Sequence, residues 1–447
     1  MSNTTSPLFL LIILLGGLAI LFGPRRWVLP LFLALSIFLS MGFHVYFLGL
    51  NFFTIRILLI FAGVRVLARG EYRGLGFVAL DKAYLSLCIW MIIAETLRRQ
   101  IPGLVYAAAN NLFDGLGTYF LARILLREPA DLKRVILCLG CLCFVLSAFM
   151  LAEQFTRHNW LTPLGAVMQS VQVRAGRMRC QATFLHPVLA GTFGAALFPL
   201  FAACWWQNGS MKKLAVLGCL AATVITVTAG SGGPFATYAA VLLALALWPI
   251  RNRMRLIRWS LLISAITLHL VMQAPVWALI ARIPLIRGAS GYHRYILVDA
   301  FVRHIGDWWL VGTETTESWG YLTDDVANTY CIVAKHGGLL ALLLFIRVLV
   351  VAFRELGIRR RQVEYDRPTE IMIWAFGALL FSHLVSFLGT SYFDQTRVLW
   401  ALTLAMLPSL HLLNQPEEDL AHASFEEDVP AHGPTTVPLG IPLGRGA

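Results

Sequence analysis

The chain reads as a series of apolar runs separated by short polar breaks. Runs long enough to span a bilayer lie near residues 7-22, 26-42, 46-66, 82-96, 104-126, 133-153, 184-205, 212-230, 233-250, 258-278, 327-353, 370-390 and 396-413. Most hold about 17 to 23 residues, the length a helix needs to cross about 30 Å of hydrocarbon. The runs lack the period-two alternation of transmembrane barrel strands. The pattern predicts an all-α polytopic membrane protein with about 12-13 transmembrane helices. Two long stretches interrupt the rhythm, residues 154-183 and 279-326, and a polar stretch ends the chain. The expected organisation is one transmembrane bundle over 1-414, which includes both stretches, and a flexible tail over 415-447.

Composition agrees with a membrane protein: 58% of the residues are hydrophobic and only 13% charged, far from the soluble average. The first run is followed by Arg25-Arg26 and by no small-residue cleavage site, so it is expected to remain as an anchor. The formal charge of +12 resides largely in short loops. RNRMRLIR (Arg251 to Arg258), RELGIRRR (Arg354 to Arg361), Lys212-Lys213 and Arg65, Arg69, Arg73 and Lys82 fall on one side when the runs are threaded alternately. The positive-inside rule makes that side cytoplasmic. Arg98-Arg99 stands against it. The same threading puts residues 154-183 and 279-326 outside and the tail inside. There is no basic-aromatic nucleic-acid module and no nucleotide motif, which excludes nucleic acid as a partner and ATP hydrolysis as an activity. The CLGCLC run, Cys138 to Cys143, lies inside an apolar helix without histidine or carboxylate neighbours and reads as packing, so no metal is expected. Cys180 and Cys331 lie in or beside the external stretches, where a disulfide is an open alternative to two free thiols.

The external stretches carry Arg157, Arg174, Arg177 and Arg179, then Arg282, Arg287, Arg294 and Arg303. All their fixed cations are arginine, apart from Lys335 just beyond. The planar guanidinium fork suits bidentate phosphate recognition better than a lysine point charge. For Arg157, Arg282 and Arg287, snorkelling to lipid headgroups is an equal reading. In VRAGRMRCQATFLHP, Arg174, Arg177 and Arg179 precede Thr183, Phe184, His186 and Pro187 at a predicted helix start, a setting that favours an anion. His186 is either an acid-base group or a cap.

From Gly291 to Gly338, the residues His293, Arg294, Asp299, Arg303 and His304 follow the rhythm of an amphipathic helix with Ile296, Leu297, Ala300 and Phe301 on its apolar side. WWLVGTETTESWGY has the composition of a sugar-facing loop or an interfacial aromatic belt, with Trp308 and Trp309 fitting either. Asp324 and Asp325 stand at the start of the next helix, and Asp325, Asn328 and Lys335 fit one helical face. Asp325 is a candidate N-cap as well as a candidate base. Asn110, Asn111 and Asp114 share one apolar run with Tyr119 and Arg123 and are expected to face the bundle interior. Gly230 to Pro234 reads as a turn between two spans.

These features together resemble the O-antigen ligase and polymerase-like superfamily of membrane proteins. RCQATFLHP from Arg179 is similar to the family's Arg-x-x-Gly-Thr-Phe-x-x-Pro. GYHRYILVDA is similar to its arginine followed by a helix, and the stretch from Gly312 to DVANTYCIVAKHGGLL is the third match. The resemblance covers roughly residues 50 to 410. It implies a GT-C-type glycosyltransferase of bacterial surface or exopolysaccharide assembly, in the cytoplasmic membrane, independent of metal, ATP or other cofactors. Its partners would be a polyprenyl-pyrophosphate-linked oligosaccharide, a glycan acceptor, membrane lipids and other polysaccharide-assembly proteins. Arg179 and Arg294 would be the phosphate-binding arginines, supported by Arg177, Arg174 and Arg303. Asp325, with Asp324 and His186 as alternatives, would orient or deprotonate the acceptor, and His293, Asn328, Trp309 and Lys335 would contact sugar. Two departures shift the expectation from ligase toward polymerase. The family's His-Asn pair reads Ala327-Asn328 here, and the arginine often found after a serine between the middle spans is replaced by Gly232 after Ser231. A flippase or exporter of lipid-linked saccharide is the alternative from another functional class.

Overall fold

The computed structural model describes residues 7-39, 42, 44-47, 50-165, 168-207, 209, 211-282 and 291-414. Arg287 and the tail 415-447 lie outside them. Helices of eight or more residues are α1 (Pro7–Phe22), α2 (Arg25–Phe38), α3 (Thr54–Ala68), α4 (Ala79–Ala107), α5 (Thr118–Leu125), α6 (Pro129–Thr156), α7 (Pro187–Ala203), α8 (Met211–Thr228), α9 (Gly232–Ala246), α10 (Met254–Val271), α11 (Gly291–Arg303), α12 (Thr329–Gln362), α13 (Arg367–Phe387) and α14 (Gln395–Ser409). Two small hairpins, β1 (His44–Phe47) with β2 (Leu50–Phe53) and β3 (Gln172–Arg174) with β4 (Arg177–Arg179), complete the strands among the described residues.

The protein is an all-α polytopic membrane protein. Among the described residues, seven helices are long and apolar enough to cross a membrane: Pro129–Thr156, Pro187–Trp206, Met211–Thr228, Trp248–Val271, Thr329–Gln362, Arg367–Phe387 and Gln395–Leu413. Leu8–Phe22 and Gly232–Ala246 are shorter apolar helices. The expected count of 12-13 is therefore reached only by adding helices that fall short in length or apolarity. The run at 46-66 opens as the β1-β2 hairpin before α3 begins. The runs at 82-96 and 104-126 are joined by α4, whose break at Gln100 (φ 56°) precedes Pro102. The chain then continues as a ten-residue π-helix, Ala108–Gly117, before α5.

Local signals set several starts. Pro129 opens α6, where its missing N–H costs no helical bond, and Asp131 accepts from the backbone N–H of Glu128. Asp81 does the same for Val78 at α4. The centre of the bundle is α7, which packs on α8, α9 and α13 and is buried almost throughout. Close approach there depends on small residues: a Cβ on Gly194 would stand 2.8 Å from the carbonyl oxygen of Ala222.

Polar contacts sort into two ends. At one, Arg25 bonds Glu128 and Asp131, Arg65 bonds Glu71 and the carbonyls of Ile20 and Gly23, and Arg251 and Arg360 meet on Glu370. At the other, Gln395 donates to the carbonyls of Ile37 and Thr183, Thr329 to that of Thr390, and Arg99 pairs with Glu314. The described parts of both long stretches lie at this second end. Arg98 and Arg99, the exception to the charge pattern, are held there by Glu95 and Glu314. The interior polar residues are paired: Asp114 takes a two-bond fork from Arg56 at 2.8 Å each, Tyr119 and Arg123 meet Asp81, and Asn110 accepts from Arg397. Cys180 and Cys331 are free thiols, so the disulfide alternative falls away. Cys180 Sγ meets Gln154 Oε1 at 3.2 Å, and Cys331 is buried beside Leu297 and Phe301.

Candidate anion site

The β3-β4 hairpin turns through Ala175 and Gly176, both at positive φ (52° and 75°), the conformation that a two-residue hairpin turn needs. Its register pairs Arg174 with Arg177 and Gln172 with Arg179. Because facing residues and residues two apart share a side of a strand pair, all three arginines lie on one face. Val173 and Met178 take the other. Arg174 and Arg177 are exposed, whereas Arg179 is buried. Thus the cluster read as a unit is graded, from two solvated cations to one withdrawn into the fold.

The loop after Arg179 is fixed by the bundle. The buried Glu153 carboxylate accepts from the backbone N–H groups of Gln181 and Ala182, the N–H of Cys180 donates to the carbonyl of Thr228, and Thr183 Oγ1 donates to that of Ile37. This delivers His186 to the N-cap of α7, where its Nδ1 accepts from the N–H of Val188 at 3.2 Å. The tautomer that makes this bond carries its proton on Nε2, so His186 offers a donor rather than a base. Burial, with Arg179 and Arg174 beside it, pushes the imidazole down to about 4 against the pull of Asp325.

The second stretch supplies Arg294 from α11, which buries Leu297, Ala300 and Phe301 of the expected stripe and leaves Ile296 half-buried. Its guanidinium lies on two glycines. A Cβ on Gly389 would stand 2.4 Å from Arg294 Nε, and one on Gly233 would stand 3.2 Å from Arg294 Nη2, 3.7 Å from Thr390 Oγ1 and 3.7 Å from Val188 Cγ1. Arg179 Nη2 approaches Ser231 Oγ at 3.5 Å. Arg179, beside Ser231, and Arg294, beside Gly233, therefore both approach the start of α9, with the start of α7 next to it at Val188, each helix N-terminus adding about half a positive charge.

Within the described residues, the buried Nε atoms of Arg179 and Arg294 and the buried Oγ1 of Thr390 have no hydrogen-bond partner. Leaving such a group unpaired costs about 1-3 kcal/mol. Burial depresses the affinity of both guanidinium groups for their proton, Arg179 also through Arg174, yet arginine stays charged at neutral pH. The concentration of donors and positive charge fits an oxygen-rich anion.

Other expected residues are placed differently. Asn328, not Asp325, is the N-cap of α12: its Oδ1 accepts from the N–H of Cys331. Helix α12 starts at Thr329, so Asp325 is not on its face. It lies in a loop whose tight turns bond Ala327 N–H to the Asp325 carbonyl and Asn328 N–H to that of Val326. Asp325 and Asp324 are exposed, and Asp325 is near enough to His186 to act on its charge. Arg303 pairs with Asp299 with its side chain 73% exposed, away from Arg294. His293 bonds the carbonyl of Leu322. Trp308 is buried and donates to the carbonyl of Phe301, whereas Trp309 is exposed. Lys335 lies beside Arg98, which donates to its backbone carbonyl. The sugar-contact set of His293, Asn328, Trp309 and Lys335 is thus dispersed. Among the described residues no group of three potential metal ligands occurs.

Sequence reasoning missed Gly233, Gly389 and Thr390. The Ser-Gly-Gly-Pro break read as a turn because nothing local marks it as the floor for a guanidinium carried on another stretch. No known family model matches the chain, and no curated protein matches it in sequence.

Proposed function

We propose that this protein is a bacterial glycosyltransferase that transfers saccharide from a polyprenyl-pyrophosphate donor to a growing glycan at the outer face of the cytoplasmic membrane, as a polysaccharide polymerase. The observation that carries the reading is that Arg179 and Arg294, from the two separate long stretches, both approach the start of α9, at Ser231 and at Gly233. In the transfer, the acceptor hydroxyl oxygen bonds the anomeric carbon while the bond from that carbon to the phosphate oxygen breaks. The electron pair leaves on the diphosphate, where Arg179, Arg294 and the Nε2–H of His186 stabilise it. The hydroxyl proton passes to the carboxylate of Asp325.

A second reading, a transporter of lipid-linked saccharide, draws on the broken helices. α4 breaks at Gln100 and α12 at Gly338, the two helices pack together, and transporters bind substrates at paired discontinuous helices. The experiment that separates the readings uses purified protein in liposomes with polyprenyl-pyrophosphate oligosaccharide and no ATP. Lengthened chains on a gel are the expected result. Movement of the lipid-linked saccharide across the bilayer without lengthening would overturn the polymerase.

A further inference from the structure

Helix α12 loses one of its own hydrogen bonds to the second long stretch. In a regular helix the N–H of Leu339 bonds the carbonyl of Lys335, four residues earlier. Here Gly338 has φ 70°, and a Cβ on it would stand 2.6 Å from the carbonyl oxygen of Leu310. The Leu339 N–H turns instead to the carbonyl of Trp309 at 2.8 Å. The freed Lys335 carbonyl accepts from the N–H of Thr313 at 2.8 Å. Residues 309-313 thus form a strap laid into the break, so close that a Cβ on Gly312 (φ 91°) would stand 2.1 Å from the Lys335 oxygen.

Arg98 fastens this strap to α4. Its Nη1 donates to the carbonyls of Thr313 and Lys335, both at 2.6 Å, and its Nη2 donates to the carboxylate of Glu95. Glu95 is buried and also meets His336 Nδ1 at 2.8 Å, which fixes the charge that holds the guanidinium. The strap leads directly into Trp308, whose indole packs on Phe301 and donates to its carbonyl. Phe301 lies seven residues after Arg294, two turns along the same side of α11.

We propose that Arg98 is a positioning residue for Arg294: by locking the strap into the α12 break it sets where α11 carries the Arg294 guanidinium. The proposal rests on the pyrophosphate reading for its ligand, while the lock itself is decided without ligand.

Hydrogen exchange of the full chain in lipid nanodiscs, read by mass spectrometry, tests the lock. Arg98→Ala should raise exchange at 309-313 and across 291-303 and leave 177-183 unchanged. Gly312→Ala, whose Cβ would also stand 3.0 Å from Arg98 Nη1, displaces the strap but keeps the guanidinium as a partner for Glu95; it should do the same and guards against misfolding of the first variant. Faster exchange confined to 309-313 would overturn the proposal. Affinity is then measured with farnesyl diphosphate as probe. Gly312→Ala should weaken binding about tenfold, the scale of one charge-assisted hydrogen bond. On that background Arg294→Ala should add little, whereas Arg179→Ala should show its full cost, because only residues that act through each other depart from additivity. Equal additivity for both would also overturn it. Failure of the wild type to bind the probe would refute the pyrophosphate reading alone, with the exchange result standing for the lock.

Discussion

Gly389→Ala adds a single methyl group where the Arg294 guanidinium lies. The backbone tolerates it, since Gly389 is not in the left-handed region, but the new Cβ would stand 2.4 Å from Nε, 2.6 Å from Cζ and 2.8 Å from Nη2. Ordinary contact begins near 3.4 Å, so the guanidinium must move by about 1 Å, beyond the tolerance of an aligned hydrogen bond. The arginine keeps its charge and its stem. What is lost is the aim of one charge-assisted bond, worth ~1.5-3 kcal/mol, which corresponds to about 10- to 150-fold in rate or affinity. The assay is initial-rate elongation of polyprenyl-pyrophosphate oligosaccharide in liposomes, with farnesyl diphosphate affinity measured in parallel. Gly377→Ala in α13 is the control, because a Cβ there meets nothing within 4 Å and alanine favours a helix by about 1 kcal/mol over glycine. Wild-type elongation and affinity in Gly389→Ala would refute the reasoning, since the anion would then not depend on where Arg294 lies.

Three other outcomes follow from the same geometry. Arg179→Lys keeps a cation but loses the fork, and elongation should fall at least tenfold with the protein still in the membrane; near-normal polymer would return Arg179 to a structural role. Asp325→Asn should slow elongation by about 100-fold with no loss of thermal stability, since Asn328 caps α12; an unchanged rate would remove Asp325 as the base. Reporter insertions at Trp160 and Tyr321, both exposed, should report the same outer side and one at the fully exposed Tyr365 the inner side, whereas opposite reports from Trp160 and Tyr321 would break the shared site.

The apolar runs announced most helices because burial and lipid exposure both demand them, and the buried stripe of α11 followed from its spacing alone. Helix breaks were harder to read. Nothing local marks Gly338 as a helix break, and the strap that exploits it comes from residues 309-313, which carry no periodic signal. The Asp325 cap was misplaced for a related reason: cap preference is nearly equal for aspartate and asparagine, and only the fold selects Asn328, whose Nδ2 also reaches the carbonyl of Leu388. Arg98-Arg99 violated the charge pattern because that pattern counts cations without their partners. Glu95, three residues before Arg98, and Glu314, more than two hundred residues later, offset them at the opposite end from the basic loops.

On the polymerase reading, the two departures from the ligase-like pattern have physical consequences. A side chain after Ser231 would have brought its own cation to the start of α9. With Gly232 there instead, it is one residue further on, at Gly233, that the Arg294 guanidinium approaches. Positive charge at this spot therefore comes from Arg179 of β4, beside Ser231, and from Arg294 of α11, whose placement depends on the strap, and not from the residue that follows the serine. The histidine missing at Ala327 has a different consequence. The group near His186 that can accept a proton is the carboxylate of Asp325, two residues before Ala327 and exposed. With no histidine at this position, on the polymerase reading more of the rate must come from the arginines and the two helix starts that stabilise the leaving diphosphate. That shift in burden explains why moving Arg294 by about 1 Å should matter as much as removing a base.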